Sequence, residues 1–99
     1  MNYTIMFRLK ALEDYDEARL WYQNHSDDSK KRFEKAITQS LSKISATPKA
    51  YSYRFDDVRI MPLKKMPYLI CYRVDDVKQI VTVIAIWHQK RDRDALEKR

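Results

Sequence analysis

No glycine occurs among the 99 residues. Phosphate-cradling loops and dinucleotide turns need glycine to bring the backbone against a ligand, so a P-loop and a Rossmann site are both excluded. Cysteine is nearly as scarce: Cys71 stands alone, and one thiol makes no intrachain disulfide. His25 and His88 lie far apart in sequence and the thiol sits inside an apolar run, so no structural metal is expected, and no cofactor either. Long apolar runs are also missing. The stretch from Ile80 to Trp87, interrupted by Thr82, has the length of a strand and falls well short of the roughly 18 residues that span a bilayer. The opening MNYTIMFRLK lacks the apolar core of a secretory signal. These absences lead us to expect a soluble, cytoplasmic protein with no membrane contact.

What is abundant is charge. Lys and Arg number 20 against 14 Asp and Glu, a formal net charge of +6 and a pI near 9.5. Such a balance favours an anionic partner, which by charge alone is a nucleic acid, a ribosome or an acidic protein. A hydrophobic content of 44% over this length supplies one modest core, so a single domain over residues 1–99 is expected.

Hydrophobic periodicity orders the chain. Tyr3, Ile5, Phe7 and Leu9 alternate with Thr4, Met6 and Arg8, the two-residue period of a strand with one buried face. From Ala11 the period lengthens: Ala11, Tyr15, Ala18 and Tyr22 share a helical face with Trp21 beside it, and Glu13, Asp14, Asp16 and Glu17 load the early turns with negative charge. This helix should end near Asn24 or His25. Ser26, Asp27 and Asp28 offer N-caps for a second helix with Phe33, Ile37, Leu41 and Ile44 inward and Ala36 and Ser40 alongside, stopped by Pro48. Helices joined this tightly predict an antiparallel hairpin. Beyond Pro48 the two-residue period returns around Val58 to Met61 and Tyr68 to Val74; Asp75 and Asp76 form a turn, and Val77 to Trp87 is apolar on both faces, as in a central strand. Pro62 marks a sheet edge or a strand end, and the charged tail from His88 to Arg99 reads as a short or frayed helix. The fold class predicted is α+β: an N-terminal strand, a helical hairpin and then a largely antiparallel sheet, β-α-α-β-β-β.

In this order, three stretches resemble the RelE/ParE toxins of type II toxin-antitoxin systems. They are Ala11 to Tyr22 on the first helix; Val58-Arg59 followed by Met66 to Val74, similar to the family's arginine and later Phe-Pro-Tyr-x-Ile-x-Tyr; and Ile84 to Asp92, similar to its Ala-x-x-His-x-x-Arg. The sequence departs from the pattern at Met66, where phenylalanine is common, and at Asp57, near a frequent glycine. The resemblance implies a RelE/ParE-like fold and a hetero-oligomer with a cognate antitoxin that holds the toxin inactive. It also implies one of two targets: DNA gyrase, poisoned by ParE-type members, or the ribosome and its mRNA, cut without a metal by RelE-type members.

Metal-free RNA cleavage needs a proton acceptor for the 2′-hydroxyl, cations for the phosphorane and an acid for the leaving oxygen. RelE-like enzymes cluster Lys and Arg with a C-terminal tyrosine. Here Leu69 occupies a position that is often arginine in those enzymes, and no tyrosine follows Tyr72. That places the chain nearer the ParE branch and gyrase. If it is a ribonuclease, Arg59, His88 and Arg91 are the candidate catalytic set, with His88 as its base or acid. Lys64, Lys65, Arg73, Lys90 and Arg93 are candidates for target or nucleic-acid binding. Each has a plainer reading: Arg59 and Arg73 as solvated strand charges, His88 as a hydrogen-bonding anchor, Tyr68, Tyr72, Trp21 and Tyr22 as core aromatics, Cys71 as a small buried residue. The cluster Lys30, Lys31, Arg32 and Lys35 then reads as a solvated helix face.

Overall fold

The α1–α2 connection shows how locally the sequence sets this structure. In the computed structural model, which describes residues 2–99, helix α1 (Leu9–Gln23) is followed after three residues by α2 (Asp27–Ala46). Ser26 caps α2 by accepting a hydrogen bond from the Ser29 N–H at 3.0 Å, and Asp27 and Asp28 lie in the first turn, where negative charge meets the exposed N–H groups. Strand β1 (Thr4–Phe7) precedes the hairpin; a 3-10 turn (Pro48–Ala50), β2 (Tyr53–Phe55), β3 (Val58–Pro62), β4 (Tyr68–Asp75), β5 (Ile80–His88) and α3 (Arg93–Glu97) follow.

The strands form one sheet in the order β1-β5-β4-β3-β2. β1 runs parallel to β5 and the remaining neighbours are antiparallel. The hairpin covers one face, where Phe33, Ile37 and Ile44 of α2 meet Ile70, Tyr72 and Val83. Ala11 and Ala18 are the apolar residues α1 buries, and their small side chains let the helix lie close over β5. The opposite face has its own core of Val58, Leu69, Cys71, Ile84, Ala85 and Trp87, closed by Leu96 of α3. The predicted α+β order is present, and the charged tail is indeed a short helix.

Several expectations need correction. The three-residue β2 adds a strand, because Tyr53 and Phe55 pair with Arg59 and Val58 across a tight turn too short for a periodic signal. Val77 is 95% exposed rather than strand-bound: Asp75 accepts hydrogen bonds from the Val77 and Lys78 N–H groups, which bends the chain, and β5 starts at Ile80. Trp21 is not a core residue but 54% exposed, since it lies to the side of the Ala11–Ala18 stripe. β5 is apolar on both faces partly because of a bulge. Cys71 faces Ala85 while Tyr72 faces Val83, so the intervening Ile84 joins Ala85 in the second core. Without glycine, Asp56, Lys65 and Gln79 take the left-handed backbone in the three hairpin turns, with φ of 45°, 65° and 55°.

Candidate functional site

The residues singled out from the sequence fall into several separate places. Arg59 lies on β3 opposite Tyr72, on the helix side of the sheet. Its guanidinium donates to the Lys49 carbonyl (3.2 Å), the Tyr51 carbonyl (2.7 Å) and the Tyr53 hydroxyl (2.7 Å), and it stacks 3.9 Å above the Tyr53 ring. Its neighbour Tyr72 is fully buried and donates to the Pro48 carbonyl at 2.6 Å; burial pushes this phenol up to about 12. Together they tie the segment after α2 onto the sheet.

His88 ends β5 opposite Tyr68, whose ring it meets edge-on at 5.1 Å. Tyr68 and Tyr72 lie four residues apart on β4, so Arg59 and His88 are offset by about 13 Å along the strand and stand on opposite neighbours of β4. The phenol of Tyr68 is also raised by burial. The His88 Nδ1 accepts from the Lys90 N–H at 3.0 Å, which leaves Nε2 to carry the proton of the neutral ring. His88 and Arg91 do share a small hollow, lined also by Glu17 and by Asp14, and Arg91 lies toward the Asp14 carboxylate.

Asp14 was legible in the sequence only as one acid in a run, yet it is the buried polar centre of this end of the molecule. β1 pairs with β5 no further than Val83, which leaves the next stretch of β5 without a strand partner on that side. Side chains complete the ladder: Asp14 accepts from the Ile86 N–H at 3.1 Å, and Arg99 donates to the Ile84 carbonyl at 3.1 Å. Arg99 also grips both oxygens of Asp14 at 2.7 and 2.9 Å, a bidentate pair whose hydrogen bonds raise the guanidinium above its ordinary value. Arg91 lies 3.7 Å from Asp14 and 4.0 Å over the Trp87 ring. The signal was the spacing, since Asp14 falls between Ala11 and Ala18 on the inward stripe.

The remaining candidates are surface cations. Arg73 pairs with Asp57 at 2.8 Å, and that hydrogen bond holds the carboxyl below its usual range. Lys90 and Arg93 are exposed around the start of α3. Lys64 and Lys65 occupy the β3–β4 turn and face Arg32 and Lys35 of α2 across a groove of about 400 Å³ floored by Tyr22 and Met66. That groove brings together four cations from segments distant in sequence. Among the described residues, no group of His, Cys, Asp and Glu is arranged to hold a metal ion, and no helix is long and apolar enough to cross a membrane.

A helical hairpin packed on a meander, with the first strand parallel beside the last, is the architecture of the RelE/ParE toxins. The chain belongs to the ParE toxin family of type II toxin-antitoxin systems: the family described as the ParE toxin of the type II system parDE matches residues 5–93. Among solved structures, it is similar to a chain of the chromosomal ParDE system from P. aeruginosa, with 16% identity, a TM-score of 0.72, and 87% of this chain and 95% of that one covered. A chain of the intact E. coli RelBE complex gives 21% identity and a TM-score of 0.62, with 90% and 99% covered. The isolated E. coli RelE toxin gives 20% and 0.61, with 97% and 94% covered. At such identities the likeness establishes the fold. No curated protein matches the chain by sequence.

Proposed function

We propose that this chain is a cytoplasmic growth-inhibiting toxin that acts by binding DNA gyrase without cleaving RNA, and that a cognate antitoxin neutralises it in a hetero-oligomer. The observation that carries the choice of mechanism is the separation of Arg59 from His88. Phosphoryl transfer needs a cation and a proton-transfer group within hydrogen-bonding reach of the same phosphate. Here the two are offset by about 13 Å along β4 alone, and the guanidinium of Arg59 is engaged by two carbonyls and a hydroxyl. His88 and Arg91 share a hollow in which Arg91 already faces the Asp14 carboxylate and Glu17 adds a second acid, an arrangement that disfavours a phosphate. A toxin that binds a protein target requires no such constellation.

The antitoxin reading draws on the family and on the outer side of α1. Leu9, Leu12 and Leu20 lie exposed on one side of that helix with Asp16 among them, separate apolar anchors on a chain of net charge +6, which suits an acidic amphipathic segment. Induction of the chain alone should arrest growth with a DNA-damage response, and co-expression of the antitoxin encoded beside it should restore growth. Normal growth with verified soluble protein would refute the toxin reading for that host; arrest with early loss of translation and intact DNA would refute the choice of gyrase.

A further inference from the structure

We propose that the groove between α2 and the β3–β4 turn is a binding track for single-stranded nucleic acid, with Trp21 as a stacking platform at one end. Arg32 and Lys35 on α2 face Lys64 and Lys65 on the turn, and the groove continues past Gln39 as a second hollow of about 270 Å³ that reaches Lys43. From Arg32 to Lys43 the helix rises about 16 Å, so the cations line a track rather than a point. No carboxylate lines either hollow, and among the described residues none of these five cations is paired with an acid. A set of unneutralised cations held in one concave strip attracts a chain of regularly spaced negative charges.

The other end of the groove supplies the stacking surface. Tyr22 lines the basic groove and also an adjoining apolar hollow of about 390 Å³ with Trp21, Pro67, Tyr68 and His88. Trp21 is half-exposed there, with His25 packed 4.1 Å from its ring and Tyr22 edge-on at 5.0 Å, so the indole is held in place with about half of its surface still exposed. Cations along a groove with an anchored aromatic at its end suit a single strand, whose unstacked bases offer π-faces that a duplex hides. An extended peptide is served less well: Pro62 has no N–H, and the Leu63 N–H already donates to the Tyr68 carbonyl, so this stretch offers no strand edge for pairing. The carboxylates of Asp14 and Glu17 lie beyond His88 and bound the track on that side.

This inference does not depend on the gyrase reading, and its test uses no growth or supercoiling readout. Fluorescence anisotropy with labelled 12-nucleotide single strands of DNA and of RNA, titrated with the purified chain, should show saturable binding. The logarithm of affinity should fall against the logarithm of salt with a slope of about −3.5 if all five cations are engaged. Arg32→Ala with Lys64→Ala and Lys65→Ala should flatten that slope by about 2, whereas Lys78→Ala with Lys98→Ala should leave it unchanged. Trp21→Ala should weaken binding by about tenfold or more without altering the slope; its circular dichroism should match the parent's, because the side chain is exposed. Binding of DNA alone or RNA alone would support the track and name its source. Equal affinity for the duplex, no effect of Trp21→Ala, displacement by a poly-glutamate peptide at equal concentration, or no binding at 50 mM salt would each overturn it.

Discussion

Asp14→Ala tests how the unpaired stretch of β5 is held. The substitution removes the acceptor for the Ile86 N–H and both oxygens gripped by Arg99 in one step, and the side chains of Asp14 and Arg99 are only 6% and 10% exposed. Removing one member of a buried ion pair costs about 3–5 kcal/mol when the remaining charge stays buried. Arg99 also contacts the Ile84 carbonyl and the Trp87 ring, and can turn toward water from its place at the surface end of α3, which lowers the cost. With that relief leaving about 1 kcal/mol for the broken pair and the stranded amide adding about 1–3 kcal/mol, a total near 2–4 kcal/mol is expected. With a urea m-value of about 1–1.5 kcal/mol/M for a chain of this size, the unfolding midpoint should fall by roughly 2 M. Asp14→Asn keeps an oxygen for Ile86 and should lose roughly half as much. Native-state hydrogen exchange adds a local readout: the Ile86 amide should exchange much faster in Asp14→Ala while the Ile70 amide, inside the β4 ladder, is slowed by the remaining global stability. A midpoint shift below about 0.5 M, or an Ile86 amide that stays protected, would refute the reasoning.

Arg59→Ala should destabilise by about 1–2 kcal/mol through the lost bonds to the Lys49 and Tyr51 carbonyls; thermal melting checks it, and an unchanged midpoint would mean that this guanidinium anchors nothing. Gln79→Gly should stabilise by about 0.5–1 kcal/mol, since glycine relieves the left-handed backbone at φ 55°; a loss of stability in urea titration would show that the Gln79 side chain matters more than its backbone. Cys71 is fully buried and its thiol is pushed up to about 12 by that burial, so a thiol reagent at pH 8 should label the native chain only at the rate of its unfolding. Rapid labelling in native buffer would contradict the burial.

Sequence periodicity located the hairpin and the long strands because their apolar residues repeat over several turns or pairs. Phe33, Ile37 and Ile44 are buried where a helical stripe places them, and Ser26 caps α2 through its own hydroxyl. Three features were hidden for separate reasons. Asp14 sits among Glu13, Asp16 and Glu17, and only its place between Ala11 and Ala18 distinguishes it from its exposed neighbours. Leu96 lies beside Ala95 in a charged tail, where two adjacent apolar residues make no period, although it seals the second core. The basic groove joins Arg32 and Lys35 to Lys64 and Lys65 across some thirty residues, a proximity created by packing and invisible to any local window. Read in isolation, Arg32 and Lys35 look like an ordinary solvated helix face.

The separation of Arg59 from His88 that underlies the proposed mechanism is tested most directly with purified components. The wild-type chain should inhibit plasmid supercoiling by DNA gyrase at near-stoichiometric concentration, and should leave mRNA intact on programmed ribosomes. Cleavage of that mRNA in the ribosomal A site, abolished by His88→Ala, together with uninhibited gyrase, would contradict the account and make the chain an endoribonuclease.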